Sequence, residues 1–499
     1  MPSYPGFCGP SYISQSLMAR PEQCMNMYPE RLEVANRQRL VLYPTPGLAL
    51  FAENATEGAA CRGLFAQAGR AFAAIGTKIY EMSSTGELTE IGTVAIDSNP
   101  ATFAMNGDAG NELFITSGDK GYIYNFSTEV FGEQVTDVTQ GGMVDGYFLG
   151  LDAATSTLKV SDLLDGTTWS GLNTLQRSAA PDPWQAMVIR DRTILLFGTE
   201  TTEPIYDAGT SPMPFAPVPG IVIPYGIAAP FSAKTLGAST LWLARSKDGD
   251  RQVVQMNGYS VRRVSTHAVE MAFSRYDDVS DAVAFTYQDQ GHQFYELNFP
   301  NANATWVYDL ALGMWHERGH WDSDARRYQM WGPQYHCYAF NKHLVGDVSG
   351  AGRIFEMNID LYTDVDGNGL RRQRVPPILE NEQNRLIINK FQLHCDVGIG
   401  LPGATWDIDD DEGDPLVPPV ITSSDQGYDP QIMMQMSTDG GETWSEERWR
   451  SAGKLGEYQH RAQWWRCGSG RNVIIAVAMT DPVPWRIIDA IVEAKGAMH

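Results

Sequence analysis

Short apolar runs that alternate with polar positions, punctuated by Gly, Asp and Asn, fill most of this chain, and long helical periodicity is scarce. The recurrent unit is two short strands around a polar turn. The pattern predicts it at 75–82, at 113–126 around SGDKG, at 147–161 and at 194–206. It returns at 241–256 around SKDGD, at 282–297 around QDQGH and at 344–357 around GDVSGAG. The units recur at intervals of roughly 35–60 residues, which overlaps the spacing of propeller blades. A lone four-stranded sheet has two faces and two edges to protect. Stacking blades radially buries the faces, and closing the ring removes the end faces. The expected fold is therefore all-β, with a β-propeller over residues 61–370. Six blades are favoured, since one blade is often shared between the first and last strands, and seven are allowed. A pair of β-sandwiches is the rival, because hairpin spacing does not separate the two.

The texture changes outside this region. Residues 1–60 are Pro- and Met-rich, and YPERLEVANRQRLVLYPTPG (28–47) reads as a strand pair ending in a Pro-Gly turn. The segment SPMPFAPVPGIVIP (211–224) is too proline-dense for a central strand and is expected at a surface or subunit contact. After RRQRVPPIL (371–379) a new strand series begins. Residues 371–499 are expected to form a separate β-rich platform domain, completed by the N-terminal segment 1–60.

Composition narrows the function. Hydrophobic residues make up 43%, enough for a sizeable core, and the formal net charge is −23. That balance argues against tight nucleic-acid binding, which needs cations to displace phosphate counterions. It leaves room for a conduit whose wall repels the duplex. No run approaches the roughly 18 apolar residues of a membrane span, so no membrane insertion is expected. The opening MPSYPGFCGP shows no secretory pattern. The six cysteines are scattered without a CxxC pair and read as free thiols.

Three motifs invite chemistry. Ser437, Asp439, Gly441, Thr443 and Trp444 match the Asp-box pattern S-x-D-x-G-x-T-W. Asp and Gly make the turn, the Ser and Asp side chains satisfy turn backbone groups, and Trp is expected to pack under the hairpin. The box is a structural element, although it occurs in sialidase-like propellers. A sialidase also needs an arginine cluster and a tyrosine nucleophile with its acid partner, and no such arrangement stands out in the sequence. His316, Glu317 and His320 satisfy the zinc-protease expression HExxH. That chemistry needs a helix, whereas WVYDLALGMW (306–315) predicts strand, turn, strand, and Gly319 weakens a helix. Asp364, Asp366 and Asn368 resemble the start of a calcium loop, but Val375 stands where the twelfth-position glutamate belongs. A solvated turn is the expected reading there, as it is for the acidic run DIDDDEGDP (407–415). No catalytic residue and no cofactor is expected.

Several stretches carry a family resemblance. They include NMYPERLEVANRQRLVLYPTPGL (26–48), VSDLLDGTTWSGL (160–172), VQMNGYSVRRVSTHAVE (254–270) and GHQFYELNFPNANATWVYDLALGMWHERG (291–319). GYDPQIMMQMSTDGGETWSEERW (427–449) and TDPVPWRIIDA (480–490) continue it. The chain resembles the packaged-DNA stabilisation proteins, the tail hub or nozzle proteins of short-tailed phages, collinearly over most of its length. The resemblance implies a structural virion protein and not an enzyme. It implies a homo-hexameric ring beneath the portal and its adaptor ring, which retains packaged DNA and forms the conduit for ejection. The implied partners are the adaptor and a tail fibre, tailspike or needle protein, with double-stranded DNA passing transiently and without specific binding. The implied location is the virion tail, after synthesis in the bacterial cytoplasm. A receptor-binding fibre-tip propeller and a sialidase-like glycosidase are the alternatives.

Overall fold

A computed structural model of the 499-residue chain describes residues 3–34, 37–54, 59–177, 180–245, 249, 251–401 and 426–496. The acidic run 407–415 lies outside the described residues. The chain divides into two units, one of Leu50–Gly313 with Met330–Met357, the other of Met1–Ala49, Met314–Gln329 and Asn358–His499.

The first unit is a β-propeller. Its blades are antiparallel sheets of consecutive strands, beginning with Cys61–Gln67, Arg70–Ile75, Lys78–Met82 and Leu88–Thr93. Blades two to four occupy 102–136, 140–176 and 184–217. Blade five occupies 226–263, and blade six contributes Val283–Asp289, His292–Phe299 and Ala304–Asp309. Blade seven joins Pro333–Ala339, Lys342–Asp347 and Arg353–Asn358 to Gly47–Glu53, the strand that precedes blade one in the chain. The innermost strands touch in sequence, blade one to blade seven and back to blade one, so the ring is closed. Each predicted hairpin falls in a different blade, central in six of them and inner in blade six, where it pairs Val283–Asp289 with His292–Phe299. The favoured count of six therefore gives way to seven: no hairpin is shared, and the ring closes through a single strand from the N-terminal segment.

The cores lie between successive blades. In Arg70–Ile75, Ala71, Ala73 and Ile75 pack with Leu344 and Ile354 of blade seven. Phe72 and Ala74 on the opposite face pack with Leu113 and Ile115 of blade two. Period-2 alternation with both faces buried produces the short continuous apolar runs seen in the sequence. The hairpin turns need positive φ, which the turn residues supply: Gly118 and Asp119 lie at +60° and +56°, Gln290 and Gly291 at +46° and +86°. The proline-dense segment provides only the short outer strand Phe215–Pro217 of blade four.

The second unit is a two-layer β-sandwich. One layer orders the strands Met314–Arg318, Pro21–Met25, Arg372–Val375, Ile474–Met479, Gln431–Ser437 and Arg448–Ser451. The other orders Met27–Val34, Arg37–Pro44, Ile487–Gly496, Leu386–Cys395 and Gln463–Gly470. Ile432, Met434, Ile475 and Val477 of the first layer meet Leu42, Phe391, Trp464 and Ile487 of the second in one core. N-terminal strands enter both layers, so the C-terminal region is completed by the N-terminal segment. The division differs from the expected boundaries at 60 and 370 in three respects: the propeller begins at Leu50, it ends at Met357, and Met314–Gln329 is left out of it. Met314–Gln329 packs in the sandwich, because Met314–Arg318 pairs with Pro21–Met25 in parallel, Glu317 opposite Met25.

Candidate functional site

The innermost strands of all seven blades line a cavity of about 420 Å³ on the propeller axis. Its wall mixes Leu64, Phe103, Met143, Ile189 and Phe285 with polar groups, several of which bond across the ring. The Gln140 amide donates to the Pro230 carbonyl at 3.1 Å and accepts from the Met187 N–H at 2.7 Å, tying blades three, four and five. The Thr102 hydroxyl accepts from the Gly141 N–H at 2.8 Å, and Thr286 donates to the Thr235 carbonyl at 3.1 Å. Burial pushes the His336 imidazole down to about 3, so it is neutral where it meets His343 at 2.9 Å. Among the described residues, Lys234 is then the one charged side chain of the wall, and desolvation lowers its pKa as well. A cavity of this size accepts a small molecule, not a DNA duplex.

In the sandwich, the Asp-box closes the turn after strand Gln431–Ser437. The Ser437 hydroxyl donates to Asp439 at 2.7 Å and accepts from the Gly441 N–H at 2.8 Å. The Asp439 carboxylate accepts from the Thr443 N–H at 3.0 Å and the Thr443 hydroxyl at 2.5 Å. The Thr443 bonds, with the one from Ser437, hold the Asp439 carboxyl well below the usual carboxylate range. Gly440 and Gly441 have φ of +78° and +106°, which favours glycine at both. Trp444 departs from expectation. It does not pack under the hairpin but is 37% exposed and lines a cleft. The box fixes the backbone turn through side-chain bonds, and those bonds leave the next side chain free to face outward.

The HExxH residues sit on extended backbone, in Met314–Arg318 and His320–Asp322, so the helix that a zinc protease needs is not formed. His316 is buried beside Tyr28, with ring centroids 6.2 Å apart. His320 bonds Asp364 at 3.0 Å. Glu317 accepts from the Ser11 hydroxyl at 2.9 Å and from the Gln23 amide at 3.4 Å. Burial raises its carboxyl from 4.5 to about 7, against the pull of those two bonds. The folded state thus binds the proton up to about pH 7 and the unfolded chain only to about 4.5, so stability falls as pH rises through that window. Glu317→Gln removes the titration and mimics the protonated carboxyl, with one acceptor and one donor where the carboxylate has two acceptors. It should match wild type near pH 4 and exceed it near pH 8 by about 1–3 kcal/mol. Urea unfolding at the two pH values measures the difference, and equal stabilities at both would count against the raised pKa.

Asp364 is committed to His320, while Asp366 accepts from the Asn368 N–H at 3.0 Å and its side-chain amide at 2.7 Å. These three candidates close a turn and do not converge, and the described residues contain no cluster of three potential metal ligands. No helix among the described residues is long and apolar enough to cross a membrane.

Sequence reasoning missed the cleft itself. It has a volume of about 760 Å³ and is lined by Trp321, Trp444 and Trp449 with Arg327, Gln373 and Glu446. The residues come from three separated segments, and only Trp444 belongs to a motif.

Solved structures that match this chain include the extracellular domain of a putative one-component system, BT4673, of B. thetaiotaomicron, at TM-score 0.43 and 9% identity over 68% of this chain. This chain spans 44% of the length of that one. Virginiamycin B lyase from Staphylococcus aureus is similar at TM-score 0.43 and 9% identity, covering 63% of this chain and 99% of the lyase. No curated protein sequence matches. Two family models do match, and together they take in both units: the β-propeller of bacteriophage P22 Gp10 over residues 19–360 and its β-sandwich over residues 371–495. A closed propeller followed in the same chain by a sandwich is the order of these two models, and the chain belongs to the family of bacteriophage P22 Gp10, structural phage proteins of the tail hub family that stabilise packaged DNA.

Proposed function

We propose that this chain is the hub or nozzle subunit of a short-tailed phage. Six copies form a ring under the portal and its adaptor ring. The ring retains packaged DNA, gives it an exit path and mounts a fibre, tailspike or needle. The subunit is made in the bacterial cytoplasm and resides in the virion tail. The observation that carries this reading is the family match through both units, 19–360 and 371–495. The propeller's own cavity, about 420 Å³, is too small for a duplex, so on this reading the DNA path runs between copies on the ring axis.

Two results are expected. Native mass spectrometry of the protein mixed with its adaptor should give six copies per ring. A stable dimer, or a threefold species on a fibre, would sink the proposal. The second concerns charge. DNA passing a wall of fixed Lys and Arg would make salt-sensitive contacts that accumulate along the duct. An acidic or neutral wall avoids that trap, and the net charge of −23 makes such a wall easy to build. The inner surface of the assembled ring should therefore carry more Asp and Glu than Lys and Arg. A map of that surface showing a continuous basic lining would contradict the charge argument.

A further inference from the structure

The cleft beside the Asp-box has the surface chemistry of a sugar site. Trp444 and Trp449 keep 37% and 52% of their surface exposed, on a unit with a well-packed core of its own. Neither is a stray surface residue, for both line the same concave space of about 760 Å³. Trp321 forms another part of the wall, held by the Arg371 guanidinium 4.2 Å over its ring and by Tyr328 at 4.8 Å edge-on. Three polar side chains of the lining are unspent, while Gln23, Arg371, Gln435 and Glu447 already have partners. Among the described residues, no hydrogen bond is made by the side chain of Arg327, Gln373 or Glu446, although all three line the cleft.

We propose that this cleft binds a glycan, with sugar rings laid on Trp444 and Trp449 and their hydroxyls held by Arg327, Gln373 and Glu446. A pyranose has a C–H face, which suits the negative face of an aromatic ring, and a rim of vicinal hydroxyls that both donate and accept. Arg327 only donates, Glu446 only accepts and Gln373 does both, so the rim of the cleft complements such a ligand. A ligand with charge of one sign would meet an opposing group in Arg327 or Glu446. An aliphatic protein segment would leave the same polar ends without partners. The Asp-box bonds hold the backbone that presents Trp444, which lowers the ordering cost of binding. The volume lies within the usual range for pockets that enclose a small ligand.

The site binds without hydrolysing. Glycoside cleavage uses two carboxyl groups across the scissile bond. Glu447, the other acid of the cleft, is engaged by Arg371 at 3.2 Å. Tyr328 is not an activated nucleophile, since burial raises its pKa and its hydroxyl is directed to the Arg371 carbonyl at 3.5 Å. The proposal does not depend on the hexameric ring.

The test is titration of the purified full-length protein with maltotriose, cellotriose, chitotriose and trigalacturonic acid, followed by tryptophan fluorescence and calorimetry. At least one should bind saturably. Trp444→Ala and Trp449→Ala should each weaken it by about tenfold or more. Trp465→Ala, which removes another exposed tryptophan that does not line the cleft, should leave it unchanged. Trp449→Ala and Trp465→Ala should unfold at the wild-type temperature and Trp444→Ala a few degrees below it, because the Trp444 ring is more than half covered. Saturation by a neutral sugar supports the proposal, and saturation by the acidic one alone counts against it, since Glu446 would oppose its carboxylates. The proposal is overturned if none of the four binds, or if binding survives in the Trp444→Ala, Trp449→Ala double variant. It is likewise overturned if the two substitutions block assembly of the ring while no sugar binds, since the cleft would then be a contact between protein chains.

Discussion

Arg374→Ala is expected to cost the sandwich about 3–5 kcal/mol. The guanidinium is fully buried in strand Arg372–Val375. Its Nε donates to the Phe7 carbonyl at 2.6 Å, and its terminal nitrogens donate to Pro10 at 3.0 Å and to Gln23 and Gly6 at 3.3 Å. It also pairs with the buried Glu22 carboxylate at 3.2 Å. One side chain therefore fastens the N-terminal segment to a strand near the other end of the chain. Alanine leaves these carbonyls short of donors and leaves Glu22 with the exposed Arg20 alone. Lysine restores the charge but not the five-donor fork, so it should recover only part of the loss. The unfolding midpoint of the sandwich and the rate of proteolysis in residues 1–25 measure the effect. A wild-type midpoint in Arg374→Ala would show that the segment is held by something else.

Trp242→Ala should have a comparable cost on the propeller, about 3–5 kcal/mol. The ring is fully buried in the core between blades four and five, with Leu195, Phe197 and Val254. It meets Phe197 in a T-shaped contact at 5.2 Å and donates from Nε1 to the Gly226 carbonyl at 3.0 Å. Its removal opens a cavity between two blades and leaves that carbonyl without its donor. Each blade is clamped between neighbours, so the loss should appear as a lower midpoint for the whole ring and not as fraying of one sheet. Trp242→Phe should keep most of the packing and lose the hydrogen bond. A propeller midpoint unchanged in Trp242→Ala would rule out this packing role.

Much of this architecture was legible because a strand buried on both faces and a hairpin turn leave local marks. The runs around SGDKG and QDQGH became the central hairpin of blade two and the inner hairpin of blade six, with the turns at positive φ. What failed was arithmetic across the chain. Nothing local shows that Gly47–Glu53 closes blade seven, so six blades were favoured and seven only allowed. Nor does anything local show that Met314–Arg318 pairs with Pro21–Met25, a partner nearly three hundred residues away.

The sites were less legible than the fold, for a related reason. HExxH was recognisable as a false lead, since the strands around it could be read. The raised carboxyl of Glu317 could not, because desolvation depends on what folds over it. The Asp-box announced its turn but not the surroundings of Trp444, and the cleft that Trp444 enters collects residues from segments that share no motif.

The central claim is that this subunit forms the hub of a phage tail. Imaging of the purified virion with the subunit labelled tests it most directly. The account predicts six labels arranged as a ring on the tail axis, directly beneath the adaptor. Three labels at the tip of a fibre, or none on the virion, would contradict it.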